Sequence, residues 1–94
     1  MGMADDVERL EAALRQETLH QMASRNGMSK SELSRLSGIS TSSMSRLLPK
    51  REGARTDRWT VGVIKQVAEA FGMTASEFLD RAEYRAEHGK GRED

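Results

Sequence analysis

Cysteine is absent from this chain of 94 residues, and proline occurs once, at Pro49. Without cysteine there is no disulfide, no thiolate nucleophile and no sulfur ligand for a metal. The two histidines, His20 and His88, lie far apart without ligand companions, so no zinc site and no other metal is expected. No apolar run approaches the ~20 residues of a membrane span, and no signal-peptide pattern is present. The expectation is a soluble, cytoplasmic, nucleoid-associated protein with no membrane partner. Also missing are a nucleophile–base set and a phosphate-cradling glycine loop. No catalytic residue and no cofactor are therefore expected, and the chain is not read as an enzyme. Its length suits one small domain.

A net charge is lacking as well: the formal total is zero. Its distribution is uneven. Residues 1–28 carry three Arg against five acids, residues 29–60 carry seven Lys/Arg against three, and residues 61–94 carry five against seven. A basic middle third thus lies between acidic flanks. Local field, not the total, steers a polyanion to a surface.

Within that middle third, eight of the seventeen residues from Ser29 to Ser45 are serine. Such a composition suits a flexible linker, but a linker has no reason to space its apolar residues. Four segments here share the logic of a helix start. In "GMSKSEL", Ser29 is a cap, Glu32 completes a capping box, and Met28 and Leu33 form a hydrophobic staple. In "GISTSSM", Ser40 caps between Ile39 and Met44. In "WTVGVI", Thr60 caps between Trp59 and Ile64. In "GMTASEF", Thr74 and Glu77 form a second box between Met73 and Phe78. Gly27, Gly38 and Gly72 precede three of these starts and suit the left-handed residue that ends a helix.

This punctuation predicts five helices, at about Asp5–Asn26, Lys30–Ser37, Thr41–Leu48, Val61–Phe71 and Ala75–Glu87. Pro49 stops the third. Leu33 and Leu36 share a face of the second helix, and Met44, Leu47 and Leu48 share one of the third. Val63, Ile64, Val67, Ala68 and Phe71 recur at helical spacing in the fourth, as do Phe78, Leu79 and Ala82 in the fifth. These are expected to be core.

Two short helices joined by Ser37-Gly38-Ile39 describe a helix-turn-helix, whose second member fits the DNA major groove. That member carries Thr41, Ser42, Ser43, Ser45 and Arg46 and no acid. An ordinary solvated helix face is richer in Glu and Lys, which are the better helix formers.

"GMSKSELSRLSGISTSSMSRLL" resembles the helix-turn-helix of the lambda repressor/Cro-type family, also called the xenobiotic-response-element family. "WTVGVIKQVAEAFGMTASEFL" resembles that family's fourth and fifth helices, and "LHQMASRNGMS" the end of its first. The resemblance runs from Leu19 to about Ala82. It implies an all-α, five-helix lambda-repressor-like domain at residues 19–87, here with a helical extension at residues 1–18 and a tail at residues 88–94. It further implies a sequence-specific regulator of transcription, in particular a repressor of phage, plasmid or bacterial origin that binds a palindromic double-stranded DNA operator as a homodimer. An alternative in the same family is an antitoxin that neutralises a protein toxin and regulates its own operon, with the toxin as protein partner.

Matched to the family, Thr41, Ser42 and Arg46 fall where the recognition helix reads bases, with Ser43 and Ser45 as secondary candidates. Lys30 falls at the start of the supporting helix, within reach of phosphate or an outer base. The loop "PKREGARTDR" would lie near the DNA backbone, so Lys50, Arg51, Arg55 and Arg58 are expected to neutralise phosphates, and Ser29 and Ser40 to hold them at helix starts. Two departures stand out. The loop is longer and more basic than usual, and Ser34 replaces the family's alanine, with a hydroxyl able to bond the carbonyl four residues back.

The first helix carries two apolar stripes, Val7/Leu10/Leu14 and Leu19/Met22/Ala23, whose centres differ by roughly 140° on one continuous helix. The second stripe is expected to enter the core. The first is left for a second subunit, which makes these three residues dimerisation candidates, or for helix five.

Overall fold

The computed structural model describes residues 3–50 and 57–88, with side chains from Val7 onward. Among these residues the chain is all helical, with α1 at Met3–Ser24, α2 at Lys30–Ser37, α3 at Thr41–Leu47, α4 at Val61–Ala70 and α5 at Ala75–His88. No strand occurs among them. The 89–94 portion of the tail lies outside the described residues.

The helix starts are made by the expected side chains. The hydroxyl oxygens of Ser29, Ser40, Thr60 and Thr74 accept the backbone N–H of Glu32, Ser43, Val63 and Glu77 at 3.1, 3.1, 3.2 and 3.0 Å. Each satisfies one of the donors that a helix N-terminus leaves unpaired. The staple residues pack into one core: Ile39, Met44, Trp59, Ile64 and Phe78 are buried, and Met28 and Met73 pack against them. Gly38 follows α2 at φ 80°, a left-handed conformation that costs an L side chain energy. Its N–H closes the helix on the Ser34 carbonyl. Ser37 braces the same turn, its Oγ accepting the N–H of Ile39 at 3.2 Å. The first helix ends two residues earlier than expected, because Asn26 itself is left-handed at φ 64°.

Packing runs α3 on α2, α2 on α4, α4 on α5 and, most extensively, α5 on α1. Leu33, Met44, Leu47, Leu48, Val67, Ala68, Phe78 and Ala82 are at most 2% exposed. Leu36 is 48% exposed instead of sharing the buried face of Leu33. Ser34 is buried, but its hydroxyl has no hydrogen-bond partner among the described residues, so the expected back-bond is not made.

The two stripes of α1 are not divided as expected, and the first packs largely on the chain's own core, where α1 meets α5. Leu14 is 1% exposed and Ala13 4%, with Leu10 packed against the same core, whereas Leu19 is 49% exposed and Ala23 lies on the surface. Of the second stripe only Met22 is buried. Leu14 is therefore filled by the chain's own core and is not free for a second subunit, which corrects its assignment as a dimerisation residue. Val7 is 40% exposed.

The buried face of α1 is one continuous stripe: Leu10, Ala13/Leu14, Glu17/Thr18 and Gln21/Met22, at the i, i+3, i+4 spacing of a helix. Its middle is polar. Thr18 Oγ1 donates to the Leu14 carbonyl at 2.7 Å, and Gln21 donates to Glu17 at 2.6 Å. Glu17 also accepts from Arg85 of α5 at 3.0 Å, and Gln21 from Arg25. Arg25 in turn donates to the Phe71 carbonyl at 2.9 Å and lies over the Phe71 ring. Burying these groups is tolerable because each finds a partner. Together they fasten α1 to both α4 and α5.

Candidate nucleic-acid interface

α3 has two faces of opposite character. Inward, Met44 and Leu47, with the C-capping Leu48, anchor it to the core at 0, 1 and 2% exposure. Outward, Thr41, Ser42, Ser45 and Arg46 are exposed and Ser43 is half-buried. All five residues expected to read bases thus belong to one short helix. The outward face has hydroxyls, which both donate and accept, and one guanidinium with five N–H donors. It has no carboxylate of its own to repel a polyanion.

The flanking residues divide. Ser29 and Ser40 spend an oxygen lone pair on capping, and each keeps its O–H to donate. Lys30 donates from Nζ to the Leu48 carbonyl at 2.5 Å, so its ammonium caps the C-terminal end of α3. Lys30 thereby ties the start of α2 to the end of α3 across the turn, a structural contact that the spacing of the sequence does not disclose. Lys50 is exposed beyond α3. Arg51 and Arg55 lie outside the described residues.

Arg58, exposed for 73% of its side chain, donates from Nε to Glu11 at 2.9 Å. The same Glu11 oxygen accepts the N–H of Trp59 at 3.1 Å. One carboxylate on α1 therefore seats the chain as it returns toward α4, with Trp59 buried behind it. Gln66 of α4 donates to the Ser37 carbonyl at 3.2 Å and secures the turn from the other side.

Asp57 is the residue of this face that sequence patterns overlooked. Its N–H donates to the Arg46 carbonyl at 3.1 Å, and its carboxylate accepts from Arg46 Nε at 3.0 Å. The Nη2 of Arg46 also reaches Ser43 Oγ at 3.4 Å. The only signal in the chain was an acid, in "ARTDRW", standing among bases.

Among the described residues no group of three His, Cys, Asp or Glu side chains could hold a metal ion, and no helix is long and apolar enough to cross a membrane. The model of the Cro/C1-type helix-turn-helix DNA-binding domain matches residues 18–83, a span that includes α2 to α4, the turn and most of α5. No curated protein and no solved structure matches the chain. The match covers more than half of the sequence, and the paired short helices, the capped turn and the outward hydroxyl face agree with it: the chain belongs to the Cro/C1-type helix-turn-helix DNA-binding domain family.

Proposed function

We propose that this DNA-binding protein is a sequence-specific repressor that lays α3 in the major groove of a palindromic operator, as a homodimer. The observation that carries this reading is the outward face of α3: four hydroxyl side chains and Arg46, acid-free, on a helix fixed from beneath by Met44, Leu47 and Leu48. Arg46 is the principal base reader, since arginine can bond guanine O6 and N7 together. Thr41 and Ser42 bond base edges or phosphate, and Ser43 and Ser45 are secondary. Serine is a permissive reader, so DNA shape contributes to the choice of site. Lys50, Arg51, Arg55 and Arg58 supply salt-dependent affinity through phosphates.

The length of α3 supports a second copy. Seven helical residues span about 10 Å, close to three base-pair steps. So short a stretch cannot single out one site in a genome, and twofold repetition doubles it. Val7, exposed near the start of α1, and the outer edge of Leu10 are the contacts we assign to that copy.

Arg46→Ala tests the reading. The variant is expected to lose the parent's preference for its selected duplex by roughly 5- to 150-fold, the equivalent of ~1–3 kcal/mol, while retaining salt-sensitive binding to any duplex. Equal discrimination by variant and parent in a competition assay would remove Arg46 as the reader.

A further inference from the structure

We propose that Asp57 is a positioning residue that fixes which edge of the Arg46 guanidinium meets DNA, and hence sets the base preference at that position. The inference rests on Arg46 being the base reader. Asp57 is not simply a nearby acid. Its backbone N–H is bound to the carbonyl of the residue whose side chain its carboxylate holds, so the two contacts form a closed clamp on the last turn of α3. The clamp locates the carboxylate relative to the helix, not only to the flexible arginine.

The contacts divide the five donors of the guanidinium. The Nε–H goes to Asp57, and one hydrogen of Nη2 faces Ser43 Oγ. What remains is both hydrogens of Nη1 and one of Nη2. The end-on approach, through Nη1 and Nη2, is the one that does not use Nε–H, and guanine O6 and N7 accept two N–H groups side by side. The alternative side-on approach needs Nε–H, which is occupied. Arginine alone has many rotamers and can desert a base for the nearest phosphate. Held at two points, it is preorganised for one approach. The Arg46 side chain remains 54% exposed, so Asp57 holds it without burying it.

A carboxylate here could act in another way, as a negative charge that weakens all DNA binding alike. The two roles leave different signatures. Loss of a repelling charge raises affinity for every duplex and steepens the salt dependence. Loss of a positioning contact lowers discrimination at a single base pair.

The test uses the full chain, a duplex it selects from a random pool, and a set in which each base pair of that duplex is changed in turn. Parent, Asp57→Ala, Asp57→Asn, Arg46→Ala and the double variant are compared. Asp57→Ala is expected to reduce discrimination about 3- to 10-fold at the base pair where Arg46→Ala abolishes it, and nowhere else. Asp57→Asn keeps an oxygen that accepts Nε–H and should restore most of the loss. The double variant should match Arg46→Ala alone. An Asp57→Ala chain that shifts affinity equally for all duplexes, or Asn and Ala variants that lose discrimination equally, would overturn the proposal. If Arg46→Ala itself leaves every preference intact, it is the base-reading assignment that fails. If Arg46→Ala removes a preference that Asp57→Ala retains in full, only the positioning role fails.

Discussion

A chain that begins at Thr18, where the family match begins, is expected to lose cooperative folding. The truncation removes Leu14 and Ala13, which are 1% and 4% exposed, and the packing of Leu10. It also removes Glu17, the buried partner of Arg85 and Gln21, and Glu11, which seats Trp59 and Arg58. Loss of a buried leucine side chain alone costs about 2–5 kcal/mol. A domain of this size has about 5–14 kcal/mol in total. Arg85 would lose its carboxylate partner and the surface of α1 that covers it. Urea unfolding followed by far-ultraviolet circular dichroism should show a sloping loss of helix without a transition. Leu14→Ala in the full chain should keep a transition but move it to lower urea. A truncated chain with the parent's midpoint would make the first seventeen residues an appendage.

Phe78→Ala is expected to lower the unfolding free energy by about 3–5 kcal/mol, a loss set by the removed ring and the cavity it leaves. Phe78 is fully buried, follows the Thr74 cap, and lies 6.3 Å from the Phe71 ring between centroids. It packs where α5 meets α4, and α4 in turn supports α2. α3 rests on α2, so the loss should propagate to DNA binding through the folded fraction. Thermal unfolding should show a midpoint lower by roughly 15 °C or more. Phe78→Leu, which preserves most of the apolar volume, should recover the larger part. An alanine variant with an unchanged midpoint would place the stabilising core elsewhere.

These two expectations concern the parts of the fold that sequence patterns treated differently. Phe78 was legible, because a cap, a glycine and a staple are local signals, bonded within a few residues of one another. The same holds for Ser29, Ser40, Thr60 and Thr74, and for the outward hydroxyls of α3, whose direction follows from burying Met44 and Leu47. The face of α1 was not legible. Its buried stripe passes through Glu17, Thr18 and Gln21, and hydropathy sees a polar gap where the molecule has a hydrogen-bonded seam. The apolar Leu19 then draws the stripe to the wrong side. Leu36 misleads in the same way, since helical spacing marks a face but not how far a neighbour covers it.

Nor could spacing show that Lys30 caps α3 or that Asp57 holds Arg46. Both contacts join residues 11 or more positions apart across a turn or loop. They depend on where the packed helices set their ends. The hydroxyl-rich outward face of α3 could be found from local rules, but the contact of Asp57 with its one arginine required the tertiary structure.

The most direct measurement is selection of duplexes from a random pool by the full chain, followed by footprinting of the winners. The expected result is an inverted repeat carrying a guanine in each half at the position lost in Arg46→Ala, with the major groove of each half protected. A pool that stays random after repeated rounds, or a motif that Arg46→Ala and the parent select alike, would contradict sequence reading by α3.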